Sequence, residues 1–540
     1  MNKLGKCFFR KSRLLPFLTG LSIVFTLFFI FSLDKTAVQV SSELEQSCTS
    51  ILVGKLASTD GSVMTSHTCD AFGDRTWANI VQHSKNSPNA MTAIYNNTKG
   101  PEFAGDLRFL EKTTEIPQAE ETFAYLNTAY PCMNEYQLGI GETTIGGRRE
   151  LQSRKGLLPI EELCRLALQR TKTARDAIRL IGNLVKEYGY NDTGECLTFI
   201  DVNEAWQLEI MGPGRDRIGA VWAAVRIPDD QVGVSANIPR IAEIDLSKPD
   251  YYMASDNVFS LAEEMGWYNP KSGEKFKFWK AYSGSKPFGI REYWILSTLA
   301  PSLKLKFDAD ELPFSIKPEK KVSPRDIMAL FRETYTGTEY DMLKNLKVRN
   351  RQGEMVASPV VSPWMNSDMQ NLINSIKPGT IERFRPIAVE TCAYSTVIQA
   401  RGWLPDAVGG ICWFGWQHPA MSPRAPIFAG VTELPPDFNN GAHRRYRTDS
   451  AAWAFRSTER LAVIIWGQTK PILDKTVKEF EDKAFTEVPN LEKQYLEIYK
   501  TDPEKANALL TQYTNSFCRA MTQKYWELGA EFWSSVARRW

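Results

Sequence analysis

Cys48 is the residue of this chain whose setting most suggests chemistry. It opens the stretch Cys48-Thr49-Ser50-Ile51-Leu52-Val53-Gly54-Lys55, which passes through Ser58-Thr59-Asp60-Gly61 and returns as Ser62-Val63-Met64-Thr65-Ser66-His67-Thr68-Cys69-Asp70. If everything before it is removed, Cys48 carries a thiol and a free α-amine on one carbon. A thiol titrates near about 8.5 and an α-amine near about 7.7–8.0, so the amine can take the thiol proton at neutral pH. An internal amide cannot, and a cut between Ser47 and Cys48 would therefore switch such a nucleophile on. The alternative is a buried or disulfide-bonded cysteine at the start of a strand.

Two strands around a tight turn must position this residue. The turn signal centres on Thr59 and Asp60, so antiparallel partners have numbers summing to about 119. That register sets Cys48 opposite Asp70 or its neighbours, at about 5 Å. The hairpin thus brings His67 to Asp70 beside the new terminus, where a carboxylate can hold an ammonium group. Cys69 points to the opposite face from Asp70 and receives no catalytic role.

The rest of the chain supplies more strands and paired helices. Asn134 to Thr144 reads as a turn and strand. After Pro159, Leu163, Leu166, Ala167 and Arg170 follow helical spacing. Thr173 caps a second helix whose apolar face includes Ile178, Ile181, Leu184 and Val185, ending at Gly189. Strands follow over 196–201, 206–211, 221–227 and 232–237, and again over 387–398 and 407–416. Beyond Asp449 the chain turns helical, with a stripe of Leu491, Tyr495, Ile498 and Tyr499. Strands, two consecutive helices, then strands suggest packed sheets with helices outside rather than βαβ alternation. Residues 48–244 and 381–450 form the expected core, 245–380 an elaboration, and 451–540 the terminal helices of a single domain over 48–540.

Composition narrows the function. Lys+Arg 65 against Asp+Glu 63 leaves a net charge of +2, and no long basic or acidic run occurs, so no nucleic acid or anionic surface is implied as a partner. Residues 1–33 read as a signal peptide or signal anchor: Lys3, Lys6, Arg10, Lys11 and Arg13 precede an apolar run from Leu14 to Leu33. Residues 34–47 read as a spacer or propeptide. The expected location is secreted or otherwise extracytoplasmic, with contact to membrane only through an uncleaved leader. None of the nine cysteines forms a C-x-x-C pair, and export permits disulfides without requiring them. His83, His418 and His443 show no metal-ligand spacing, and no HExxH, Walker loop or G-x-S-x-G is present, so neither metal nor cofactor is expected. Asn96 and Asn191 head glycosylation sequons.

A family resemblance joins these features. Besides the opening hairpin, the chain carries Met133-Asn134-Glu135-Tyr136, Gly141-Glu142-Thr143-Thr144, Ala174-Arg175-Asp176-Ala177-Ile178, and Glu204-Ala205-Trp206 through Gly212-Pro213. Trp222 to Asp230, Ser235-Ala236-Asn237-Ile238 and Trp413-Phe414-Gly415 through Pro426 follow in order. In this ordered set it resembles the C69 dipeptidases, the dipeptidase A-like N-terminal-nucleophile hydrolases. The resemblance implies an α+β, four-layer αββα sandwich and a cysteine-dependent, metal-free hydrolysis of dipeptides with broad specificity. It implies Cys48 as nucleophile with its own amine as base, Asp70 orienting that amine, and Asn237 binding the oxyanion. Thr143, with Glu142, is a candidate for the pocket wall, and His67 a candidate helper. Many relatives carry arginine near position 67, so a permanent cation is missing there.

Other readings stay open. The same nucleophile serves an amide acylase of the choloylglycine or penicillin type, and an uncut leader would leave a non-catalytic, membrane-anchored binding protein. Self-association into a homo-oligomer is compatible with the sequence. Asp201 and Glu204 read as solvated turn residues, Arg424 and Arg444-Arg445 as surface cations, and Trp403, Trp413 and Trp416 as core or pocket wall.

Overall fold

The computed structural model describes residues 48–441 and 444–538. The leader, the spacer and the bond between Ser47 and Cys48 lie outside the described residues, as does His443. In chain order the strands that build the core are β1 (Ser50–Val53), β2 (Val63–Cys69), β3 (Asn79–Val81), β4 (Tyr125–Asn127), β5 (Met133–Asn134), β6 (Gly139–Thr144), β7 (Gly194–Ile200) and β8 (Ala205–Met211). They continue with β9 (Val221–Ile227), β10 (Val232–Ser235), β11 (Tyr252–Ala254), β12 (Ser315–Ile316), β13 (Tyr394–Ala400), β14 (Ile411–Trp416) and β15 (Ala425–Phe428). The helices that matter here are α1 (Ile160–Arg170), α2 (Ala174–Tyr188), α3 (Ile290–Leu299), α4 (Pro324–Phe331), α5 (Ala451–Ala462), α6 (Trp466–Tyr499) and α7 (Pro503–Ala537).

One sheet has the order β12-β10-β1-β2-β13-β14-β15, the other β11-β9-β8-β7-β6-β5-β4-β3. The sheets face each other through β2 against β6 and β7. Helices α1 and α2 cover the outer face of the second sheet, and α4, α5 and α7 cover the first. This is the expected four-layer αββα sandwich. With a covered face on either side, β2, β7, β8 and β13 bury every residue, and the hydrophobic-in, polar-out alternation of a half-exposed strand disappears.

Between the sheets the layer is hydroxyl-rich near the start of β1. Thr65 Oγ1 lies 2.7 Å from Thr198 Oγ1, and Ser50 Oγ donates to the carbonyl of Glu142 at 3.2 Å. Such contacts need close backbones. A Cβ on Gly141 would stand 2.5 Å from both Ser66 O and Thr198 Oγ1, so only glycine lets β6 approach β2 here.

The opening hairpin differs from its expected register. It pairs Val53 with Met64 and, as an isolated bridge, Thr49 with Thr68, a shift that still leaves Cys48 beside Cys69 and Asp70. Side chains fill the gaps in this ladder: Ile51 N–H donates to Ser66 Oγ (2.9 Å), which donates back to Ile51 O (3.1 Å). The continuous partner of β1 is β10, with Ser50 opposite Ser235.

The segment 245–380 is more than an elaboration. β11 and β12 extend the two sheets. Leu261, Phe276, Phe278 and Tyr282 from this segment build a second apolar cluster with Met211, Val221 and Val225, and α3 carries a residue of the site. The turn residues expected in water are also held inside. Asp201 accepts from Ala174 N at 2.9 Å, at the start of α2, and Glu204 pairs with Arg175 at 2.6 Å. Arg424 is fully buried, donating to Ser395 Oγ at 3.0 Å. Trp413 and Trp416 are core, whereas Trp403 is exposed. Cys48, Cys69, Cys132, Cys164, Cys196, Cys392, Cys412 and Cys518 are all buried free thiols. The sequon residues meet each other, Asn191 Nδ2 donating to Asn96 Oδ1 at 3.1 Å. Among the described residues no helix is long and apolar enough to cross a membrane.

Candidate active site

Cys48 sits just ahead of β1 and is 3% exposed. Burial pushes its thiol well up, the Glu142 and Asp70 carboxylates push further, and only the Asp70 backbone N–H pulls the other way. A thiol raised in this way is protonated at neutral pH.

Asp70, fully buried just after β2, is one of two acids beside this thiol. Arg385 Nη2 donates to its Oδ2 at 2.8 Å and Thr68 Oγ1 at 3.1 Å, while Oδ1 has no hydrogen-bond partner. Burial raises the Asp70 carboxyl, and the charges of Arg385 and Arg291 oppose it. Two arginines from distant parts of the chain thus place permanent cations beside Asp70.

Arg291 ties Cys48 to Asn237. Its Nη1 donates to the carbonyl of Cys48 (2.6 Å) and to Thr49 Oγ1 (3.1 Å), and its Nη2 to Ala236 O (2.9 Å) and Asn237 Oδ1 (2.8 Å). The residue lies in the first turn of α3, where Glu292 accepts from Gly289 N at 2.9 Å to cap the helix. A cation at a helix N-terminus opposes the dipole, and the four acceptors offset that. Burial and the neighbouring Arg385 lower its guanidinium to about 10, still charged at neutral pH. Asn237 follows β10 at φ +66°, a left-handed conformation that asparagine tolerates better than most residues. Its Nδ2 donates to Thr144 O at 2.6 Å, which leaves the second amide proton uncommitted.

On the other side of Cys48 stand His67 and Glu142. His67 Nε2 and Glu142 Oε2 approach to 3.3 Å, both buried, and neither makes a hydrogen bond of acceptable angle. Burial works against ionisation of Glu142, but the adjacent His67 and Glu195 side chains and the Lys99 charge hold it below its ordinary value. Burial and the charge on Glu142 push Glu195 well up, because two like charges this close disfavour each other's ionisation. Thr143 points away from this group and bonds Ser235 Oγ at 2.6 Å across the sheets. Strand alternation turns Glu142, its neighbour, toward the nucleophile.

Sequence reasoning missed Arg291, Arg385 and Ser235. No local pattern marks the arginines, which lie 243 residues beyond Cys48 and 315 beyond Asp70. The other histidines stand elsewhere: His83 lies between Glu135 and Glu121 at 2.7 and 3.1 Å, and His418 is buried against Trp364. Arg444 stacks on Phe109, and Arg445 is exposed.

The model of Peptidase family C69 matches residues 47–479, beginning one residue before Cys48 and spanning both sheets. The chain belongs to peptidase family C69. As a C69 member it is a peptidase, and its relatives carry matching names. A "Probable dipeptidase" of Latilactobacillus sakei is 26% identical over 72% of this chain and 75% of its own length. A "Probable dipeptidase" of Salmonella dublin is 27% identical over 77% and 90%. The "Dipeptidase" of Bifidobacterium longum is 24% identical over 76% of each. Among solved structures, penicillin V acylase from Agrobacterium tumefaciens covers 71% of this chain and 87% of its own at 10% identity, with a TM-score of 0.29. That likeness is too remote to bear on the chemistry of this C69 chain.

Proposed function

We propose that the protein is a dipeptidase of broad specificity whose nucleophile is the thiolate of Cys48, exposed as a new N-terminus by cleavage after Ser47. The observation that carries this reading is the buried Cys48 thiol just ahead of β1, beside the backbone N–H and carboxylate of Asp70, whose Oδ1 makes no hydrogen bond. An α-ammonium formed by cleavage has an acceptor waiting, and its charge lowers the thiol beside it.

In the working site the Cys48 amine takes the thiol proton, and sulfur attacks the dipeptide carbonyl. Negative charge on the tetrahedral oxygen meets the free amide proton of Asn237, held in place by Arg291; one such donor is worth roughly 3–4 kcal/mol. The Cys48 ammonium returns a proton to the leaving amine as the C–N bond breaks. Water, deprotonated by the same amine, then cleaves the thioester and restores the thiol. The relatives named as dipeptidases support dipeptides as the substrate class. We assign the mature protein to an extracytoplasmic compartment, after loss of the leader over residues 1–33.

A panel of dipeptides incubated with protein beginning at Cys48, with and without chelator, tests the mechanism, and N-terminal sequencing of the exported protein tests the cut. Hydrolysis lost in Cys48→Ala and retained in chelator is expected. Activity abolished by chelator, or indifferent to Cys48→Ala, overturns the mechanism, and preferential cleavage of bile-salt-like or penicillin-like amides moves the protein to an acylase.

A further inference from the structure

The donor atoms of Cys48, His67 and Glu142 all lie within 4.8 Å of one another, and all three residues are buried. A tetrahedral zinc ion with Zn–S near 2.3 Å and Zn–N or Zn–O near 2.0–2.2 Å sets its ligands roughly 3.4–3.6 Å apart. His67 Nε2 and Glu142 Oε2, at 3.3 Å, already stand at that spacing. Neither atom has a hydrogen-bond partner, which is rare for buried polar groups. The imidazole is also held in orientation, edge-on to Tyr130 and Tyr394 at centroid distances of 5.5 and 5.6 Å. Tyr394 is itself fixed by the Tyr130 N–H, which donates to its hydroxyl at 3.1 Å.

We propose that Cys48, His67 and Glu142 form a binding site for a thiophilic divalent cation of the Zn2+ type, and that occupancy reversibly silences the nucleophile. Thiolate, imidazole and carboxylate suit zinc rather than calcium or magnesium. Cleavage after Ser47 adds a fourth ligand, because the α-amine and thiolate of one cysteine close a five-membered chelate ring on the metal. Binding forms Zn–S and Zn–N bonds and releases the thiol and ammonium protons to solvent. Both the nucleophile's lone pair and the base are then consumed. Zinc is an inhibitor here, so the reaction itself stays metal-free. This inhibition rests on Cys48 being the nucleophile, whereas metal binding does not.

The test titrates Co2+, a spectroscopic stand-in for Zn2+, into protein beginning at Cys48 and into the uncleaved chain, without substrate. A thiolate-to-cobalt charge-transfer band is expected, tighter in the cleaved protein by about tenfold or more and displaced by Zn2+. His67→Gln and Glu142→Gln should each weaken binding by about tenfold or more, and Cys48→Ser should remove the band. If Glu142→Gln does not fold, His67→Gln decides alone. In the dipeptide assay Zn2+ should abolish hydrolysis and chelator should restore it. Absence of the band overturns the site whether or not the protein cleaves dipeptides, as does binding indifferent to His67→Gln. Cobalt bound without a thiolate band, and lost in His83→Ala, marks adventitious binding at the surface group of His83, Glu121 and Glu135 and also overturns it. A band in protein that cleaves no dipeptide supports the site and overturns the proposed dipeptidase reading instead.

Discussion

Arg385 Nη2 lies 2.8 Å from Asp70 Oδ2, joining an arginine just ahead of β13 to a wholly buried carboxylate at the end of β2. The contact engages Oδ2, while the Cys392 thiol lies against the same carboxyl, so Arg385 is the ion-pair partner that fixes this buried carboxylate beside Cys48. Breaking a buried pair by removing one partner costs about 3–5 kcal/mol. Arg385→Met should destabilise the protein by about that much in urea unfolding, with Arg385→Lys recovering part of it. The pH profile should respond as well. Burial already raises Asp70, and loss of the cation raises it further, so the acid limb of activity, which needs the carboxylate, should move to higher pH.

Asn237 combines a strained backbone with a donor, and two substitutions separate them. Asn237→Gly keeps φ +66° at no steric penalty but removes the amide, while Asn237→Ala removes both. Each should lower kcat by about 10²–10³. Only the alanine variant should also lose about 1–2 kcal/mol of stability from the left-handed backbone, as read by denaturant unfolding.

Gly141 sets the distance between the sheets. The Cβ of Gly141→Ala would meet Ser66 O, a backbone atom that cannot swing aside. Overpacking of this kind typically costs about 1–3 kcal/mol. The shift should also move Glu142 relative to His67, so kcat should fall more than in a surface variant of equal stability. Unfolding curves and dipeptide kinetics on one preparation check both.

Glu459 makes stability depend on pH. Burial raises its carboxyl from 4.5 to about 8, although Ser422 Oγ and the His418 N–H donate to it. A group raised in the folded state contributes stability that is complete below its unfolded value and is lost as pH rises through the folded one. Stability from this residue should therefore decline as pH goes from about 4.5 toward 8. Thermal unfolding of Glu459→Gln across that window should show a flatter profile than the parent.

Residue types and short-range pattern were enough to propose Cys48 as a nucleophile that would need a free amine, and to place Asp70 beside it. A hairpin is local, and its turn chemistry brings two nearby stretches together within a residue or two. The paired helices α1 and α2 and the long buried strands were legible for the same reason, since their periodicity and caps are written within each element. The cations that serve the site were not. Arg291 and Arg385 look like ordinary arginines in sequence, and only the folding of α3 and the segment before β13 against β1 and β2 removes them from water and gives them partners. Asp201, Glu204 and Arg424 were misread as solvated because burial of a charge depends on what packs over it. Of the expected wall pair Glu142 and Thr143, Glu142 stands near Cys48 and Thr143 bonds Ser235, because which residue of β6 faces which neighbour is set by the contact between sheets. Sequence alone singled out the candidate nucleophile and its closest neighbours along the chain. Tertiary structure decided the charges, the orphaned acceptors and the separations around that atom, because these arise from layers that meet only when the sandwich closes.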